Sequence, residues 1–185
     1  MTFGGKHKRS FEEYHAVPDG WDAASLASAH ATLHGKFDIR PTQIPDTWDP
    51  WLKYRQTLYN VANGVRSNDV ACVELAVRFI EFHFIGSYAG FIRSRKARRL
   101  KHSPLTDKQQ ERLSDHFLGP LRQGERCHEF SDYLSLWRSI ATPGDLAQVE
   151  QLARDNTRQH AEFLVYVLTK LRPNTAGAWS LGDHA

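Results

Sequence analysis

The chain has 185 residues, a formal net charge of +3 and a pI of about 8.9, and 41% of its residues are hydrophobic. That length fits one domain with a core of its own, and that composition excludes wholesale disorder. The charge is too modest for a histone-like tail, so it selects no partner by itself.

Cys72 and Cys127 lie far apart and form no CxxC pair, which argues against a disulfide framework and a zinc ribbon. Cys72 sits in an apolar run and reads as a small core residue. A reducing cytoplasm is the expected compartment. The N-terminus carries Lys6, Lys8 and Arg9, but no apolar stretch follows, so no secretory signal is expected. The longest apolar run contains Glu74, Arg78 and Glu81 and falls short of a membrane span.

Residues 1–20 are polar and glycine-containing and read as a flexible arm. Trp21 to His34 predicts a short helix ending at Gly35. Gly35 to Pro45 holds two prolines and no helical period, and reads as an extended connector packed by Phe37 and Ile39. Asp49-Pro50 is an N-cap followed by proline at the first helical position. The helix it starts is expected to run to about Ala62 and to end at Gly64. Ser67 or Asn68 then caps the apolar helix, on which Glu74, Arg78 and Glu81 form one polar stripe.

That apolar run passes through Gly86, Tyr88 and Gly90 into the most cationic part of the chain. Arg93, Arg95, Lys96, Arg98, Arg99 and Lys101 place six positive charges in nine residues. The glycines mark a bend that is either a kink or a break. On a helix these charges spread nearly all round the axis, so the segment is expected to project from the body or lie on its surface.

Thr106 and Gln109 form a capping box for a helix carrying Leu113, Phe117 and Leu118, expected to stop at Gly119-Pro120. Phe130, Tyr133, Leu134, Trp137 and Ile140 outline another. Thr142-Pro143-Gly144-Asp145 repeats the start signal. Apolar spacing then predicts one long helix to Leu171, with Asn156 and His160 in its buried seam. Residues 173–185 read as a loose tail. Period-two alternation is missing. The expected fold is all-α: a single-domain bundle or short stack of five or six helices over residues 21–172.

Chemistry-bearing patterns are sparse. There is no GxSxG, GxGxxG or phosphate-loop glycine pattern, and neither cysteine lies in a catalytic signature. Glu125-x-x-His128 and Glu12-x-x-His15 match the spacing used by di-metal bundles, with Glu74, Glu81, Glu150 or Glu162 as further ligands. Glu12 lies in the arm and Glu125 at a helix start, so chance spacing is the better reading. His30 and His34 read as surface residues of a short helix. Asn156 with His160 reads as an internal hydrogen-bond network. Tyr88, Phe91 and Trp137 read as core, and Trp48 with Trp51 as anchors of the connector.

The sequence leans away from an enzyme, and no cofactor or metal is called for. The first expectation is a non-enzymatic helical protein binding an acidic protein partner through Arg93, Arg95, Lys96, Arg98, Arg99 and Lys101. Nucleic-acid binding by the same residues is the alternative. A metal-dependent helical enzyme using Glu125, His128 and a buried glutamate is the third.

Overall fold

The computed structural model describes residues 15–40, 49–83, 88–123 and 130–172. Among them are eight helices and no strand: α1 (Ala23–Thr32), α2 (Pro50–Arg66), α3 (Val70–Phe82), α4 (Ala89–Leu100), α5 (Asp107–Arg122), α6 (Phe130–Ile140), α7 (Pro143–Asp155) and α8 (Arg158–Leu171). None is long and apolar enough to cross a membrane.

The caps follow sequence grammar. Asp22 and Asp49 accept N–H groups of the first turns of α1 and α2. Thr106 with Gln109 and Thr142 with Asp145 close capping boxes. The cap of α3 is Asp69, one or two residues beyond the expected Ser67 or Asn68. Asn68 instead takes the left-handed turn between α2 and α3 (φ 55°).

Helix count and lengths differ from expectation for local reasons. Gly64 does not end α2, because its missing Cβ is used for packing. A Cβ there would lie 2.2 Å from Cys72 Sγ. Helix α5 continues through Pro120 to Arg122. Gly119, lacking a Cβ, relieves the clash a proline imposes on the preceding residue. The long final helix is two helices, since Asn156 is extended (ψ 166°) and its side-chain amide donates to the Leu152 carbonyl at 2.8 Å. Helices α3 and α4 are also separate, for α3 closes at His83 in the left-handed conformation (φ 49°). The bend is therefore a break. Gly86 lies outside the described residues, and Gly90 is inside α4.

Helix α4 is central. It packs against α2, α3 and α6, while α5 bridges α3, α6 and α7, and α8 closes on α6 and α7. Helix α1 covers α2 and α3. The core runs continuously from Leu26 and Ile39 through Leu58, Phe79 and Ile92 to Trp137 and Leu164. Burial of the last residues of the expected arm is visible too. Val17 packs against this core, and the His15 ring meets Trp51 edge-on at 4.4 Å. The remainder of that arm, and the tail from residue 173, lie outside the described residues.

Candidate functional site

Helix α4 was expected to carry its charges on the outside, and it divides them instead. Ala89, Ile92, Ala97 and Leu100 are fully buried and fix the helix between its neighbours. Arg93 and Lys96 share that inward face and are 5% and 0% exposed. They are unavailable to an external partner. Arg95, Arg98 and Lys101 are exposed, and Arg99 is half-buried. The apolar line of Ile92, Ala97 and Leu100 is thus wide enough to bury the helix, because Ala97 lets it approach closely and two cations fold inward with it.

The outward face has a definite pattern. Phe91, Arg95, Arg98 and His102 follow one another at helical spacing, and Phe91 is 76% exposed. Arg95 also lies over the Tyr59 ring of α2, 5.3 Å from its centroid, with Arg55 at 5.7 Å. Arg99 donates to Asn63 Oδ1 at 2.9 Å. Beside them a groove of about 340 Å³ is lined by Arg66, Asn68, Arg98, Arg99, His102 and Ser103.

Charge in this region is poorly compensated. Helices α2 and α4 carry eight of the 24 Lys and Arg residues and none of the 21 Asp and Glu. Among the described residues, Arg66, Arg95, Arg99 and Lys101 make no ion pair with a carboxylate. Arg98 reaches Asp132 only at 3.9 Å, where water weakens the pair. Burial, then the neighbouring charges of Arg95 and Arg66, hold Arg99 below its ordinary value. A patch whose guanidinium groups repel one another is relieved by an incoming anion.

A second cluster is internal. His30 Nε2, an Asp69 carboxylate oxygen and Cys72 Sγ lie within 4.8 Å of one another, all buried. Asp69 accepts the backbone N–H groups of Lys36, Phe37 and Cys72, and the His30 Nε2–H at 3.0 Å. Burial pushes its carboxyl up, but those backbone donors outweigh burial and hold it well below the usual range. Each carboxylate oxygen thus accepts two of these hydrogen bonds, and the group is engaged within the fold. The cluster is a hydrogen-bond hub that ties the end of α1 to the start of α3. Gly35 serves it sterically, since a Cβ there would lie 2.1 Å from the His30 ring. Burial, then the hydrogen bond to Asp69 and its charge, push the Cys72 thiol far up, which disfavours the thiolate.

Other candidates resolve into structural roles. Arg112 forks onto Glu74 and Glu81 and ties α5 to α3, while Gln109 adds a bond to Glu74 at 2.9 Å. Burial raises Glu74, and bonds from Gln109, Arg78 and Arg112 outweigh it and lower its pKa. Glu150 pairs with Arg172 at 2.9 Å. His160 donates through Nε2 to the Leu121 carbonyl at 2.8 Å, and its Nδ1 meets Asn156 Oδ1 at 2.9 Å. That network fastens the α7–α8 break to the end of α5. His30 is buried rather than on the surface, and His34 holds a left-handed turn (φ 56°). Trp137 is core and donates to Ser114 Oγ at 3.1 Å. Tyr88 is core as well, and burial pushes its phenol up to about 12. Trp48, Glu12, Cys127 and the Glu125/His128 pair lie outside the described residues.

Sequence reasoning missed Arg66, which joins the cationic groove from another helix, and Asp69, the hub. The absence of any acid on α2 and α4 was a readable signal for the first. Neither protein-family models, curated proteins nor solved structures yield a match to this chain.

Proposed function

We propose that this chain is a non-enzymatic helical interaction protein that binds an acidic protein partner through the outer face of α4. The carrying observation is the row Phe91, Arg95, Arg98 and His102, flanked by Arg66 and Arg99. It joins an exposed aromatic ring to guanidinium groups of which Arg66, Arg95 and Arg99 lack carboxylate partners among the described residues and Arg98 has only the long contact to Asp132. Aromatic and arginine side chains are the usual anchors of protein interfaces, and the cations steer an acidic surface toward them. Arg93 and Lys96 belong to the packing of α4 and fall out of the contact set. Lys101 stays in it, at the end of the helix.

The test is fluorescence polarisation with a labelled Asp/Glu-rich peptide bearing one leucine anchor. Binding is expected to weaken at least tenfold in Arg95→Glu/Arg98→Glu and several-fold in Phe91→Ala. Equal affinity for all three proteins, or no binding at low salt, refutes the reading.

Nucleic-acid binding is the second reading. It is favoured by one observation: the cations continue round the end of α4 to Arg138 and Lys170, beside the half-exposed ring of Tyr166. It requires retention of an oligonucleotide in a mobility-shift assay that fades steeply with salt. A metal-dependent enzyme gains no support from the described glutamates, because Glu74 and Glu81 already serve Arg112.

A further inference from the structure

The end of α4 faces two grooves, and the second has a chemistry of its own. It is about 480 Å³ and lies between α6 and α8, with Lys101 at one side. Ser131, Ser135 and Ser139 line it from α6 at intervals of four residues, so their side chains form one row, in which the Ser139 hydroxyl donates to the Leu136 carbonyl at 2.6 Å. Three cations border that row from three separate segments: Lys101 after α4, Arg138 on α6 and Lys170 on α8. Lys101 Nζ donates to Ser135 Oγ at 3.0 Å, and Lys170 Nζ lies 5.6 Å from the Tyr166 ring centroid. Among the described residues, no carboxylate lines the groove. None of the three cations pairs with one among the described residues.

We infer that this groove takes the phosphate monoester of a phosphorylated side chain carried by the acidic partner. The inference deepens the proposed docking reading and rests on it. A phosphate monoester carries about −2 charge at pH 7 and accepts through three oxygens. Hydroxyls, two ammonium groups and a guanidinium converging from three segments suit such a compact, doubly charged group. A nucleic-acid strand carries single charges along a line, and the hydroxyl row with its three bordering cations is short and local. The groove adjoins the docking face through Lys101, so one partner segment can occupy both.

Two labelled peptides test this on the full chain: the acidic peptide above, and the same peptide with one glutamate replaced by phosphoserine. The phosphopeptide is expected to bind at least tenfold more tightly. That advantage is expected to fall below twofold in Arg138→Ala/Lys170→Ala, whose side chains are exposed. Amide NMR signals of Ser131, Ser135 and Lys170 are expected to shift with the phosphopeptide only. Equal affinity for the two peptides overturns the phosphate inference and leaves the docking reading standing. Failure of both peptides to bind overturns both. Displacement of the phosphopeptide from these signals by a micromolar single-stranded DNA oligomer that binds more tightly makes nucleic acid the occupant and overturns the inference.

Discussion

Replacing Lys96 with methionine is expected to stabilise the protein. Lys96 is 0% exposed, its Nζ has no hydrogen-bond partner, and it sits 3.8 Å from the centroid of the Phe79 ring. Two effects oppose each other there. Burying an ammonium ion costs several kcal/mol, whereas a desolvated cation–π contact returns about 2 kcal/mol. Burial therefore wins and lowers the pKa well below the ordinary lysine value; the Cys72 thiol opposes it only weakly. The fold therefore disfavours the protonated amine that the unfolded chain carries. Methionine keeps an unbranched chain against Phe79 and removes the unsatisfied donor, worth about 1–3 kcal/mol. A proton term adds to this. Because the folded pKa is depressed, the unfolded state binds more protons below the unfolded pKa, so wild-type stability rises with pH. The variant's advantage should then shrink as pH rises toward the unfolded lysine value, by at most about 1.4 kcal/mol per pH unit. Urea unfolding of both proteins at pH 7, 8 and 9 measures the difference, in which all other titrating groups cancel. A destabilised Lys96→Met, or an advantage that does not change with pH, refutes the reasoning and means that the amine stays charged and paired inside the fold.

Acid should weaken the fold through His116. Burial, then the His83 charge, depress its pKa to about 4, with Arg93 adding to and Glu81 opposing the shift. The unfolded ring takes up a proton first, so stability is lost as pH falls from about 6.5 toward 4, by up to about 3 kcal/mol. His116→Phe, followed by thermal unfolding across that window, should show a correspondingly smaller loss. Gly64→Ala should destabilise, against helix propensity, which favours alanine by about 1 kcal/mol. The new methyl would sit 2.2 Å from Cys72 Sγ and 2.9 Å from its Cβ, and the resulting overpacking costs about 1–3 kcal/mol. A raised urea midpoint for Gly64→Ala would refute that close approach.

Local signals fixed the helix starts, because caps act over three or four residues and are written in consecutive side chains. Asp49-Pro50, Thr106 with Gln109 and Thr142 with Asp145 all begin helices where their spelling says they do. The all-α class followed from apolar spacing and the missing period-two alternation. The sequence also showed that α4 is densely cationic, and its neighbour α2 free of acids. It did not show which cations face out. Six charges around one axis read as a solvated helix, yet Arg93 and Lys96 are buried because α2, α3 and α6 converge on Ala89, Ile92, Ala97 and Leu100. That outcome depends on residues far away in the chain, as does the Asp69 hub, whose donors come from α1's exit and α3's first turn. The serine-lined groove is the plainest case. Arg138 and Lys170 are unremarkable in sequence and come to border one groove with Lys101 only when α6, α8 and the end of α4 meet. Backbone grammar is local and legible in the chain, whereas burial and charge convergence are properties of packing, which the tertiary structure alone decides.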